Sequence, residues 1–164
     1  MKIPTMLPAM ALMALLTFSC STDAVEEDRI DAITASFIPE TKIIEIEVME
    51  LINDHRINLG LNPLQQLGEI KAQAYGHTDY MIENNEISHD NFYVRRDNLI
   101  SNAGAVSVGE NVAYGFSYAP ALVTAWLNSE GHRDVIEGDF TNFDLSAEQD
   151  ENGRWYYTNI FIKR

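Results

Sequence analysis

A single cysteine, Cys20, stands in 164 residues, so no disulfide can form within one chain. Basic residues are scarce too: 11 Lys and Arg face 25 Asp and Glu, for a net charge of −14. Affinity for phosphate backbones comes mainly from Lys and Arg, and a field of this sign argues against a nucleic-acid partner and against docking on anionic lipid through charge. No apolar run reaches the roughly 18 residues of a membrane-spanning helix. The run from Met6 to Leu16 is shorter and contains Pro8. H-E-x-x-H and G-x-S-x-G are missing as well, which removes the usual sequence support for zincin and α/β-hydrolase chemistry.

The first segment carries an address. Lys2 precedes the apolar run, and Thr17-Phe18-Ser19 places a small residue directly before Cys20. Such a pattern is an export signal, and it is similar to a lipoprotein leader whose cysteine becomes the acylated first residue of the mature chain. Residues 1–19 are therefore expected to be removed and Cys20 to anchor the protein in the membrane. The leader takes only Lys2 from the charges, so the remainder is more acidic still. Asp23, Glu26, Glu27, Asp28 and Asp31 then mark residues 20–39 as a solvated tether. Residues 40–164 have the length of one domain with its own core.

Within that domain, Ile44, Val48, Leu51, Ile52 and His55 recur at helical steps and Gly60 follows where a left-handed cap is favoured. Leu67, Ile70, Ala74, His77 and Met81 form a second stripe, which makes His77 core-facing. His55 and His77 are expected to be structural imidazoles satisfied by hydrogen bonds. A third helix is expected over 92–102, before Gly104. Ser117 as a cap and Pro120 in the first turn announce a fourth, with Leu122, Ala125 and Trp126 inward. The period then changes. Phe143, Leu145 and Ala147 alternate, Asp150-Glu151-Asn152-Gly153 supplies a turn, and Trp155 to Ile162 is rich in aromatic and branched residues, which predicts a β-hairpin. Glu148-x-Asp150-x-Asn152-Gly153 imitates the start of a calcium loop, but a plain turn fits it better. Helices with a few antiparallel strands imply an α+β layered fold.

Three polar blocks bring chemistry: Ser88-His89, Gly109-Glu110-Asn111 and Ser129-Glu130-Gly131-His132-Arg133. Each has the look of a loop or helix end beside an apolar stretch, where scaffolds present functional side chains. Asn111 can also tie loop amides, and Arg133 suits a carboxylate partner. Tyr114, Trp126 and Tyr157 suit the core or a cleft wall. A Ser88 or Ser129 nucleophile beside a histidine is conceivable, although nearness in sequence does not establish a triad.

The order of these blocks, together with Glu47 to Leu64 (EVMELINDHRINLGLNPL), His77 to Met81, Trp126 to Arg133 and Tyr157 to Phe161, resembles the bacterial CAP-domain proteins. These are also called SCP-like extracellular proteins, after their cysteine-rich secretory, antigen 5 and pathogenesis-related members. The resemblance covers nearly all of residues 43–162. It implies an α-β-α sandwich, an antiparallel sheet between helical layers, with a cleft between helices and sheet. In that family two histidines and two glutamates line the cleft and hold a divalent cation in some members. By position these are His89, His132 and Glu110, while Ser129 stands where the second glutamate is expected and Glu130 lies beside it. The resemblance thus implies a divalent cation such as zinc on His89, Glu110 and His132, with Asn111, Ser129 and Glu130 as further cleft residues. The function it implies is binding of an extracellular ligand, lipid or envelope component by a protein anchored through Cys20. A metal-assisted or serine hydrolase acting on peptide or cell-wall material is the alternative.

Overall fold

The computed structural model describes residues 38–164. The leader, Cys20 and nearly all of the tether lie outside the described residues.

Helix α1 spans Ile43–Asn58. Its stripe is the expected one: Val48 and Ile52 are fully buried, and Ile44, Leu51 and His55 are half-buried. The turn beyond it closes at Gly60, whose φ of +75° is costly for any residue with a Cβ, and the Leu61 amide reaches back to the Arg56 carbonyl at 2.9 Å. Strand β1 is two residues, Gln65–Gln66, and leads into α2, Gly68–Asn84. There Ile70, Ala74 and Met81 are fully buried and His77 faces inward with them. Helix α3, Phe92–Ala103, ends at Gly104 in the left-handed region. Strand β2, Ser107–Tyr114, precedes α4, Ala119–Asn128, and α5, Glu130–Glu137. The cap of α4 is Tyr118 and not Ser117, with Pro120 in the first turn as expected. The hairpin is β3, Asn142–Gln149, and β4, Trp155–Lys163. Its turn is tied by the Asp150 carboxylate, which accepts the Asn152 and Arg154 amides at 2.9 and 2.8 Å.

The sheet order is β1-β3-β4-β2, antiparallel except for the short parallel pairing of β1 with β3. Directly opposite residues share a face. Phe143, Leu145, Ala147, Tyr157 and Phe161 pack on α1, α4 and α5, while Ile160 and Ile162 pack on α2 and α3. The result is the α-β-α sandwich, with no helix among the described residues long and apolar enough to cross a membrane.

Both sheet edges are covered by side chains. Beyond the two-residue contact with β1, the outer edge of β3 pairs with no other strand among the described residues. There Lys71 Nζ donates to the Leu145 carbonyl at 2.7 Å and Glu45 Oε1 accepts the Ala147 amide at 2.7 Å. The two charges meet each other at 2.5 Å, and both side chains are almost wholly buried. This ion pair substitutes for a missing strand, satisfying edge groups that would otherwise be orphaned. Asp144 is buried on the α2 side near the same pair. At the opposite edge, the Trp126 indole N–H donates to the Val112 carbonyl of β2 at 3.2 Å.

Candidate functional site

The Gly109-Glu110-Asn111 block is neither a loop nor a helix end. It occupies the middle of β2, with Glu110 opposite Ile160 and Asn111 opposite Asn159. Because strand side chains alternate, these neighbours serve opposite faces of the sheet. Glu110 points toward α2 and α3. Asn111 points toward α5, where its Nδ2 donates to the His132 carbonyl at 3.0 Å. Asn111 thus fixes the helix that carries His132 rather than a loop amide.

Glu110 is the centre of the site, with only 1% of its side chain exposed. Arg95, buried on α3, forks onto it: Nε reaches Oε2 and Nη2 reaches Oε1, both at 2.8 Å. The third guanidinium nitrogen donates to the Asp90 carbonyl at 2.6 Å. His89, on the loop between α2 and α3, places Nδ1 2.8 Å from Glu110 Oε1. An ionised carboxylate only accepts, so Nδ1 carries the proton and donates. The other face of this imidazole, 53% exposed, is open to solvent. His77 Nε2 donates to the Ser88 carbonyl at 2.8 Å and lies 4.0 Å from Glu110. Two left-handed asparagines, Asn85 and Asn91, bound the loop that holds His89.

His132 approaches from the other side of the sheet. Its Nδ1 is buried and has no hydrogen-bond partner among the described residues. His89 thus meets β2 through Glu110 on one face and the His132 backbone meets it through Asn111 on the other, and the two imidazoles are near enough to interact electrostatically.

Charge follows from this packing. Burial alone would push the Glu110 carboxyl up, but hydrogen bonds from His89 and Arg95 and the guanidinium charge outweigh it and hold Glu110 below the ordinary carboxylate range. Burial, reinforced by Arg95, holds His77 below the usual histidine range. Burial and the nearby His89 charge do the same to His132. At neutral pH the core of the site is a neutralised Arg95–Glu110 pair flanked by uncharged His77 and His132.

The structure therefore gathers His89, Glu110 and, by proximity to His89, His132. It adds His77 and Arg95, neither of which the sequence marked as part of a site. Among the described residues, however, no three His, Cys, Asp or Glu side chains are grouped to hold a metal ion. Both Glu110 oxygens are in addition taken by the Arg95 guanidinium. The residues present do not fit a preformed cation site. Ser129 is half-buried at the start of α5 and Glu130 is exposed in its first turn. The Ser88 hydroxyl accepts the Asp90 amide at 3.3 Å, and among the described residues neither it nor the Ser129 hydroxyl bonds a histidine. Arg133 donates to the Leu127 carbonyl at 3.0 Å rather than to a carboxylate. Trp126 and Tyr157 are core residues, whereas Tyr114 is exposed. A separate shallow groove lies along α4 between Tyr118, Ala121 and Asn128, away from the histidines.

Comparison with known proteins places this arrangement. Residues 49–161 match the model of the cysteine-rich secretory protein family, CAP. The chain is similar to the uncharacterized membrane protein YlbC of Bacillus subtilis, with 36% identity over 124 residues, 73% of this chain but 34% of YlbC. It thus spans about a third of that relative's length. An extracellular SCP-domain protein from Bacillus anthracis superposes with a TM-score of 0.64 at 30% identity, over 74% of this chain and 40% of that one. An outer surface protein of Borrelia burgdorferi shares the fold, with a TM-score of 0.69 at 22% identity, over 77% of this chain and 96% of its own. With the family model spanning most of the described residues and a relative of 30% identity sharing the fold, the chain belongs to the cysteine-rich secretory protein (CAP) family.

Proposed function

We propose that this protein is an exported, lipid-anchored binding domain that captures an extracellular ligand or envelope component at the edge of β2, between His89 and His132. The observation that carries the proposal is the state of the cluster. Its buried carboxylate is neutralised by Arg95, while the His89 imidazole beside it is half-exposed and free to meet a ligand. A hydrolase would need an activated nucleophile, and among the described residues neither nearby serine hydroxyl is on an imidazole. Export is supported by similarity to an extracellular SCP-domain protein, and anchoring by the position of Cys20 at the end of the apolar run.

The test is a thermal-shift screen of the purified protein against phosphatidylcholine vesicles, phosphatidylglycerol vesicles and soluble peptidoglycan fragments, repeated with His89→Ala and His132→Ala. One probe class should raise the melting temperature of the wild type and lose that effect in both variants. A shift that both variants retain, or no shift with any probe, refutes binding at this cluster. In cells, Cys20→Ala should abolish membrane retention; unchanged retention refutes the anchor.

A further inference from the structure

Glu110 decides which nitrogen of His89 meets a ligand. Its Oε2 accepts Arg95 Nε, and its Oε1 accepts both Arg95 Nη2 and His89 Nδ1, each at 2.8 Å. A carboxylate forked by a guanidinium is ionised and donates nothing, so the imidazole proton is held at Nδ1. In the neutral ring Nε2 is then an acceptor, on an imidazole that is 53% exposed. The same fork cancels charge. Arg95 is engaged by Glu110 and by the Asp90 carbonyl, to which Nη1 donates at 2.6 Å, so the pair offers neither a free cation to an anionic ligand nor a free carboxylate to a cationic one. The net charge of −14 repels phosphate further.

A second observation lies beside the histidine. The Phe92 amide donates to the His89 carbonyl at 3.1 Å, so the first turn of α3 begins against it. That turn carries Tyr93, which is 70% exposed and has its ring 6.0 Å from that of Phe92. An exposed aromatic ring near an uncharged acceptor suits a sugar, whose apolar C–H face can lie on the aromatic while a hydroxyl donates to the nitrogen.

We propose that the ligand class captured at the β2 edge is an uncharged, hydroxyl-rich glycan that donates a hydroxyl to His89 Nε2 and rests a sugar face on Tyr93. This rests on the reading of that edge as a capture site and names what it takes. Glu110 and Arg95 are positioning residues: they hold the His89 tautomer and touch no ligand. A lipid phosphate, by contrast, calls for donors and positive charge that the Arg95–Glu110 pair does not present.

The test has two arms, both on the purified protein at pH 8, above the ordinary histidine value of about 6.5. Nitrogen NMR of histidine-labelled protein without ligand reads the tautomer, with the His89 signal assigned by its loss in His89→Ala. The proton should sit on Nδ1, and a proton on Nε2 overturns the proposal. Calorimetric titration with chitotetraose, an uncharged N-acetylglucosamine oligomer, should give an isotherm that His89→Ala weakens about tenfold and Tyr93→Ala about threefold. Binding that either variant leaves unchanged overturns the proposal. A His89-dependent isotherm with phosphatidylglycerol vesicles and none with the oligomer overturns the ligand class while leaving the capture site standing. No isotherm with either probe overturns the ligand class as well, and the thermal-shift screen then reports separately on the capture site.

Discussion

Asp144 offers a quantitative handle on the buried polar layer under α2. Its carboxyl is buried, accepts the Leu145 amide at 2.9 Å and lies within the field of Lys71 and Glu45. Burial dominates these influences and pushes the group up from 3.8 to about 6. A raised folded-state value means the native protein holds its proton more tightly than the unfolded chain. The corresponding stability is fully present below the unfolded value and is lost as pH rises through about 6. A shift of about two units corresponds to about 3 kcal/mol. Asp144→Asn keeps an oxygen for the Leu145 amide and has nothing to ionise. Its stability relative to the wild type should therefore climb by about 3 kcal/mol between pH 4 and pH 7 and level off above. Urea denaturation at unit pH steps, followed by the fluorescence of the buried Trp126, measures this difference directly. A difference that stays constant across that range, or that falls with rising pH, refutes the assignment of the titration to Asp144.

Three further outcomes follow from the side chains at the sheet edges. Lys71→Met strands the buried Glu45 charge and leaves the Leu145 carbonyl without its donor, for an expected loss of about 3 kcal/mol in the same urea assay. Lys42→Ala, which breaks only the half-exposed pair with Glu148, should cost less than about 1 kcal/mol. Trp126→Phe removes the indole N–H from the Val112 carbonyl and should cost about 1–3 kcal/mol, with faster amide exchange along β2 as the accompanying sign.

The helices were legible because their signal is periodic. Val48 and Ile52, or Ile70, Ala74 and Met81, are separated by multiples of the helical repeat, and burial follows that repeat in the folded chain. Strand β2 was not legible because its centre violates the pattern by which half-buried strands are found. Glu110 and Asn111 are polar residues buried on both faces, and the site that made the block conspicuous also disguised its conformation. Buried charges were missed for a related reason. Glu45, Arg56 and Lys71 are residue types that sequence assigns to water by default, and only their partners in three dimensions justify burying them. Arg95 was the costliest omission. Arg96 next to it is half-buried against Tyr93 and Asp97, and composition cannot tell the two apart. The four-residue spacing of Arg95, Leu99 and Ala103 was the available signal: an arginine on the stripe that faces the core must find acceptors there, carbonyls for Arg56 and a buried acid for Arg95.

The sheet order has a consequence in time. Strand β4 pairs with β3 on one side and β2 on the other, yet it lies later in the sequence than everything it joins. A chain emerging N-terminus first can wind α1, α2 and α3 and still own almost no ladder. The strand bearing Glu110 waits for residues nearly fifty positions downstream before it has a neighbour. Until then its backbone is unclaimed, and the histidines have nothing to flank. Such an order delays closure of the sheet until β4 arrives, so the ladder forms from non-local pairings late in synthesis.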